Sequence, residues 1–137
     1  MAKIAVNEEY AASADAVWER MAQFGSLDWM PGVEKCSVEG DGVGAVRSIS
    51  MGPMTIKERL ESFDPDARTL SYSIVEGPLP TKNYLATIIV SEQGDGCRVD
   101  WTATFDLPDG VDESAIAPAV AGGYGGALKT LKKELDA

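Results

Sequence analysis

The strongest constraint on the fold is a change in hydrophobic periodicity along the chain. From about residue 33 to residue 107, apolar residues recur at every second position, whereas the flanking segments repeat at helical spacing. The alternating runs cover about residues 33–40, 44–51, 54–63, 68–76, 82–92 and 97–107. Most of the turns between them are rich in Gly, Pro and Asp, which favours antiparallel hairpins. With residues 3–10 as a first strand, the pattern predicts a seven-stranded antiparallel sheet.

Helical segments lie on both sides of these six runs. Ser13 is suited to cap a helix over about residues 14–24, and a second short helical turn from Ser26 to Met30 is stopped by Pro31-Gly32. A long C-terminal helix is indicated by an apolar stripe at helical spacing, formed by Ile116, Val120, Tyr124, Leu128, Leu131 and Leu135. The predicted class is therefore α+β, with two short helices between the first and second strands.

The predicted C-terminal helix is unusual because four glycines surround Tyr124 in its middle. Each glycine costs roughly 1 kcal/mol relative to Ala in a helix interior. A single helix fills the concave side of a curved sheet only if large side chains intrude, and these glycines withdraw volume instead. The sequence therefore predicts a cavity between the sheet and this helix.

Charge and hydropathy exclude several classes of partner. The chain has 12 Lys and Arg against 22 Asp and Glu, a formal net charge of −10 at neutral pH. Such a surface repels phosphate backbones and anionic membranes, so we expect no nucleic-acid partner and no membrane insertion. We expect one cytoplasmic domain over residues 1–137, either monomer or homodimer, because no leader-like segment or linker is apparent.

The residue types present also exclude several kinds of catalytic and metal site. Histidine is absent, which removes Ser-His-Asp and Cys-His catalysis and His-based metal sites. The two cysteines, Cys36 and Cys97, have no metal-type spacing. We therefore expect neither a metal nor an organic cofactor.

One hairpin predicts a charge pair inside the concave face. If Gly52-Pro53 is a two-residue loop, three cross-strand pairs share one face of the sheet. These pairs are Met51 with Met54, Ile49 with Ile56, and Arg47 with Glu58. If the Met and Ile side chains point inward, Arg47 and Glu58 point inward with them. Tyr72 on the next strand then lies near Glu58 or Leu60.

Three interpretations of this pair remain open. Arg47 could bind a carboxylate, enolate or phenolate while Glu58 or Tyr72 orients a hydroxyl or moves a proton, which makes these three the catalytic candidates. The pair could instead fix strand register without contacting a ligand. An inverted parity would leave both side chains in solvent.

The chain resembles the START-like or SRPBCC superfamily and its helix-grip fold, in particular the bacterial members of the polyketide cyclase/dehydrase type. The resemblance covers nearly the whole chain and is carried by ADAVWERMAQFGSLDWMPGV, TIKERLESFDPDARTLSYSIVEGPLPTKNYLATIIV, GDGCRVDWTATFDLPDG and the glycine-rich helix ending in GGALKTLKKEL. It implies a curved sheet wrapped around the C-terminal helix and a pocket between them for a hydrophobic small molecule. It brings no universal catalytic residues.

The resemblance places Trp29 and Met30 at the entrance or floor of the pocket, although core packing is the commoner role of large apolar residues at the ends of elements. Strand pairing sets Tyr84 opposite Phe105 and Trp101 opposite Ile88, and Tyr124 is placed to close the pocket from the helix. The full set of ligand-binding candidates is Trp29, Met30, Arg47, Ile49, Met51, Ile56, Glu58, Tyr72, Tyr84, Trp101, Phe105, Val120 and Tyr124.

Three functions are compatible with this sequence. The first is a carrier or sensor of a hydrophobic or aromatic molecule, lipid-like or polyketide-like, held in the cavity. The second is a cofactor-independent cyclase, dehydratase or isomerase that acts on a polyketide-like or aromatic substrate. The third is a protein-interaction module, which would need an exposed apolar patch.

Overall fold

The computed structural model describes residues 2–27 and 29–136 and confirms the predicted α+β helix-grip class. Its elements are β1 (Ala2–Tyr10), α1 (Ala14–Met21), β2 (Lys35–Glu39), β3 (Val46–Met51), β4 (Met54–Asp64), β5 (Thr69–Glu76), β6 (Lys82–Gln93), β7 (Gly96–Asp106) and α2 (Glu113–Leu135). The strands form one antiparallel sheet in the order β1-β7-β6-β5-β4-β3-β2. Helix α2 covers the concave face of this sheet.

The second short helix is not found among the described residues. Helix α1 begins after its Ser13 cap as expected, but it ends at Met21 rather than at residue 24. The described residues that follow form turns, in which Met30 N donates to Leu27 O at 3.0 Å. Asp28, inside the predicted helix, lies outside the described residues. Gly25 interrupts helical propensity here, and a Cβ on it would lie 3.0 Å from Val38 Cγ1, so the chain turns where it meets β2.

The sheet register follows the predicted hairpins. Strands β3 and β4 pair Arg47 with Glu58, Ile49 with Ile56 and Met51 with Met54, as the two-residue loop requires. Register shifts occur between Lys57 and Glu58, between Leu60 and Ser62, and between Lys82 and Leu85. Such irregularities bend a strand and increase its twist, and so they help the sheet to curve around α2.

Helix α2 is fixed to the sheet mainly by its C-terminal half. Leu128 and Leu131 are fully buried, and the Tyr10 hydroxyl on β1 donates to the Leu128 carbonyl at 2.7 Å. After the last turn, Asp136 accepts hydrogen bonds from the backbone N–H groups of Ala11 and Ala12, at 3.0 and 3.1 Å. These contacts hold one end of the helix against the sheet and leave its middle free to stand further away.

Gly96 provides a sharp test of this arrangement. An ideal Cβ on Gly96 would lie 1.9 Å from the Tyr10 carbonyl oxygen, a backbone atom that moves only if β1 shifts. We expect Gly96→Ala to lower the free energy of unfolding by about 2 kcal/mol or more, measured by urea denaturation. Gly125→Ala is the control, because its Cβ would only make an ordinary 3.7 Å contact with Val6. Equal effects of the two substitutions would contradict the close packing of β1 on the β6–β7 hairpin.

Candidate functional site

A cavity of about 450 Å³ lies between the concave face of the sheet and the middle of α2. This volume is within the range of small-molecule sites, which is roughly 300–1,000 Å³. Its wall is mostly apolar, with a few polar side chains. The lining residues are Met30, Pro31, Ile49, Met51, Met54, Ile56, Glu58, Tyr72, Ile74, Pro78, Leu79, Tyr84, Trp101, Ala119, Val120, Gly122, Gly123, Tyr124 and Gly126.

Three glycines of α2 lie at the border of this cavity. Gly122, Gly123 and Gly126 are exposed, and a Cβ on any of them would meet no atom within 4 Å. Gly125 points elsewhere, toward Val6 on β1. The absence of side chains at these three positions leaves the border of the cavity open at α2.

Arg47 and Glu58 form a buried ion pair at the sheet end of the cavity. Nε and Nη2 of Arg47 both contact Oε1 of Glu58, at 2.8 and 2.6 Å. Arg47 Nη1 also donates to the Phe24 carbonyl at 3.2 Å, which ties the sheet to the segment after α1. The guanidinium lies over the rings of Phe24 and Tyr72, at 4.2 and 5.0 Å from their centroids. Arg47 is thus enclosed on several sides and does not line the cavity.

Glu58 lines the cavity and keeps one carboxylate oxygen available. Both of its contacts use Oε1, and Oε2 accepts no hydrogen bond from the described residues. Within those residues, Trp29 Nε1 is the one fully buried side-chain N or O atom that lacks a hydrogen-bond partner. Because Glu58 Oε2 also lacks a partner but is not in that class, it is not fully buried and retains access to open volume. Burial raises the pKa of Glu58, and the charge and hydrogen bond of Arg47 only partly oppose this effect.

Three tyrosine hydroxyls provide the remaining polarity of the wall. The hydroxyls of Tyr84 on β6 and Tyr124 on α2 are hydrogen-bonded to each other, which links sheet and helix across the cavity. Trp101 Nε1 donates to the Tyr72 hydroxyl at 3.2 Å, and the Trp101 ring stacks on Tyr124 with centroids 4.1 Å apart. Burial raises the pKa of all three tyrosines, so they remain neutral hydroxyls at physiological pH.

Most of the sequence-predicted site residues lie on this wall. Those that line the cavity are Met30, Ile49, Met51, Ile56, Glu58, Tyr72, Tyr84, Trp101, Val120 and Tyr124. Trp29, Arg47 and Phe105 lie behind it in the core: the Trp29 ring is 6.5 Å from that of Trp101, and Phe105 stacks on Tyr84 at 5.5 Å. Of the three catalytic candidates, Glu58 and Tyr72 therefore reach the cavity and Arg47 does not.

The set of ligand-binding candidates omits part of the rim and part of the helix face, although the glycines around Tyr124 had indicated the cavity. The additional lining residues are Pro31, Met54, Ile74, Pro78, Leu79, Ala119, Gly122, Gly123 and Gly126. Alternation gave a signal for Ile74, which is two residues from Tyr72, and strand pairing gave one for Met54. Pro78 and Leu79 belong to the β5–β6 connection, and no local pattern indicates which way a loop of this kind folds.

A family model described as polyketide cyclase / dehydrase and lipid transport matches residues 1–136. The chain belongs to this family. It is also 31% identical to the abscisic acid receptor PYL2 of Arabidopsis thaliana, over 79% of this chain, and it spans 64% of the receptor's length. Family and relatives together support ligand binding by a START-like fold.

Solved structures give the same fold. XoxI from Bacillus cereus is 33% identical with a TM-score of 0.90, covering 98% of this chain and 96% of that one. Norcoclaurine synthase from Thalictrum flavum, solved in complex with dopamine and hydroxybenzaldehyde, is 25% identical with a TM-score of 0.76, covering 97% and 87%.

Among the described residues, no helix has the length and apolar character of a membrane span. The same residues contain no group of three or more His, Cys, Asp or Glu side chains placed to hold a metal ion.

The buried ion pair can be tested by a double-mutant cycle. Arg47→Met leaves Glu58 and the Phe24 carbonyl without their partner, so we expect it to lower the free energy of unfolding by about 3–5 kcal/mol. Adding Glu58→Leu removes the stranded carboxylate, and most of this loss should be recovered. Urea denaturation of the wild type, Arg47→Met, Glu58→Leu and the double variant measures the coupling. Arg98→Ala, which breaks a surface pair with Asp100, is the control; if it costs as much as Arg47→Met, the pair has no special role.

The raised pKa of Glu58 predicts a pH dependence of stability. The folded state binds the proton of the Glu58 carboxyl more tightly than the unfolded chain does. The stabilisation that this protonation gives to the folded state is therefore fully present below the ordinary pKa of 4.5. It is lost as the pH rises through the folded pKa. We therefore expect the unfolding free energy of the wild type, relative to Glu58→Gln, to fall as the pH is raised above 4.5. A difference that increases with pH would show that attraction to Arg47 outweighs burial.

Proposed function

We propose that this protein binds a hydrophobic small molecule in the cavity between the sheet and α2, as a carrier or sensor. The observation that carries the proposal is the 450 Å³ apolar cavity beneath three glycines of α2. The lining residues, together with the core residues Trp29, Arg47 and Phe105 that support them, form the proposed site. We propose that the whole chain acts as one such ligand-binding domain.

The energetic cost of the cavity supports this function. Each of the three glycines at the cavity border weakens the helix by roughly 1 kcal/mol relative to Ala, although an alanine at any of them would meet open space. Empty apolar volume also forgoes the packing contacts that stabilise a core. A fold selected for stability alone would fill this space, whereas a binding protein needs it.

The similar proteins support a ring-containing ligand of modest size. One relative is named as an abscisic acid receptor, and the norcoclaurine synthase structure holds dopamine and hydroxybenzaldehyde. In the present chain, Trp101, Tyr72 and Tyr124 supply aromatic surface to the cavity wall. Aromatic side chains of this kind stack well on flat apolar molecules.

The glycine face allows stability and binding to be separated. The triple variant Gly122→Ala, Gly123→Ala, Gly126→Ala adds three methyl groups at the border of the cavity, and it should raise the ligand-free unfolding free energy by about 3 kcal/mol. Native mass spectrometry of freshly purified protein, followed by organic extraction, should show a bound small molecule on the wild type and less on this variant. If no molecule is retained, the displacement of an environment-sensitive apolar dye provides the same comparison.

Gly125→Ala is the matched control for this experiment. It makes the same change in helix propensity, but its methyl group points toward Val6 and not into the cavity. We expect a gain of about 1 kcal/mol in stability with binding unchanged. Equal ligand or dye binding by the wild type, the triple variant and the control would mean that the cavity is not the binding site.

A cofactor-independent enzyme is the second candidate, and Glu58 is the observation that favours it. A carboxylate whose pKa is raised by burial and which faces an apolar cavity is suited to accept or donate a proton during catalysis. Tyr72 would then orient the substrate. An enzyme converts the extracted molecule on incubation, and Glu58→Gln abolishes the conversion while binding persists. A carrier releases the molecule unchanged.

A further inference from the structure

We infer that the cavity selects a ligand that carries a hydrogen-bond donor, a hydroxyl or ammonium group, on an apolar ring system, and that it rejects carboxylates. This inference rests on the proposed binding function and specifies its ligand class. Its basis is the distribution of charge in the wall: Glu58 reaches the cavity, whereas its cationic partner Arg47 is held behind it.

The cavity wall carries formal charge of one sign, which is negative. Among the described residues that line the cavity, Glu58 is the one with a formal charge. The nearest cation, Arg47, is 5% exposed, and its donors are directed to Glu58 Oε1 and to the Phe24 carbonyl. The rings of Phe24 and Tyr72 cover the guanidinium. A bound carboxylate would therefore meet another carboxylate and no accessible cation.

The carboxylate in the wall points to a donor on the ligand. The bond between Tyr84 and Tyr124 uses one of the three tyrosine O–H groups as donor, and Tyr72 accepts from Trp101, so the tyrosines can also donate to a ligand hydroxyl oxygen. Glu58 Oε2 is the carboxylate oxygen that accepts no hydrogen bond from the described residues. A donor placed against Oε2 would form a charge-assisted hydrogen bond in surroundings of low dielectric constant, where such bonds are strong. An apolar ligand without a donor would leave this oxygen desolvated and unpaired.

The field of the whole protein acts in the same direction. The formal net charge is −10, so an anionic ligand is repelled before it enters the cavity, whereas a neutral or cationic one is not. Local and long-range electrostatics therefore both disfavour acids, so the inferred ligand class differs from the acid that the relative PYL2 is named for.

A series of probes with one ring system tests this selectivity. The probes are 2-methylnaphthalene, 2-naphthol, 2-naphthylmethylamine and 2-naphthoate, titrated at neutral pH and monitored by tryptophan fluorescence and calorimetry. We expect 2-naphthol and the amine to bind about tenfold more tightly than 2-methylnaphthalene, the effect of one net hydrogen bond to a charged group. We expect 2-naphthoate to bind more weakly than 2-methylnaphthalene. If 2-naphthoate binds as tightly as 2-naphthol, the inference is wrong.

Variants assign the selectivity to Glu58. Glu58→Gln keeps the shape of the side chain but removes its charge, so it should bring the affinities of 2-naphthol and 2-naphthoate close together or reverse their order. Glu61→Gln makes the same change in net charge at an exposed position of the same strand and should leave the wild-type order unchanged. If Glu58→Gln does not fold, the wild-type probe series alone decides the inference.

The outcomes separate this inference from the proposed function. Suppose that 2-methylnaphthalene binds to the wild type and more weakly to the triple glycine variant, but that 2-naphthol and 2-naphthoate bind with equal affinity. The donor preference would then be overturned, whereas the proposed binding function would stand. If no probe binds to the wild type, and the triple variant and wild type also retain no ligand on purification, both are overturned.

Discussion

Helix α2 has to close the concave face of a seven-stranded sheet alone, and it packs tightly over only part of its length. Its C-terminal half is held by Leu128, Leu131, the Tyr10 hydroxyl and the Asp136 carboxylate. Its middle contacts the sheet through Tyr124, which stacks on Trp101 and is hydrogen-bonded to Tyr84. Beside Tyr124, exposed glycines supply no side chains, so a gap between helix and sheet stays open there.

The wall at the other side of this gap is organised by the ion pair. Arg47 joins β3, β4 and the segment after α1 through one guanidinium, and by doing so it holds a carboxylate at the edge of an apolar volume. Glu58 alone would be costly there, because an isolated buried charge is poorly solvated. Because Arg47 is enclosed behind Glu58, the Glu58 carboxylate faces the cavity as a hydrogen-bond acceptor, whereas the cationic Arg47 guanidinium does not reach the cavity. The pair thus has a structural role and determines the polarity of the site.

Much of the fold was predictable from local pattern. The turn at Gly52-Pro53 sets the β3–β4 register, since a two-residue loop permits one set of cross-strand pairs, and alternation then decides which face is buried. The Arg47–Glu58 pairing followed from this logic. The second short helix is absent from the part of the chain that the structure describes, because Gly25 lies close to β2 and the chain turns there. Strand alternation is a strong signal because a one-residue slip would turn every apolar side chain outward.

The sequence by itself determined the order of the elements, the strand register, the glycine-weakened helix and hence the existence of a cavity. Only the tertiary structure decided which polar group faces that cavity. Register places the Cβ atoms of Arg47 and Glu58 on the same face, but the positions of their charged ends depend on Phe24 and Tyr72, which come from other parts of the chain. Long side chains end several bonds from their backbone, so their final direction is set by packing from elements that are distant in sequence.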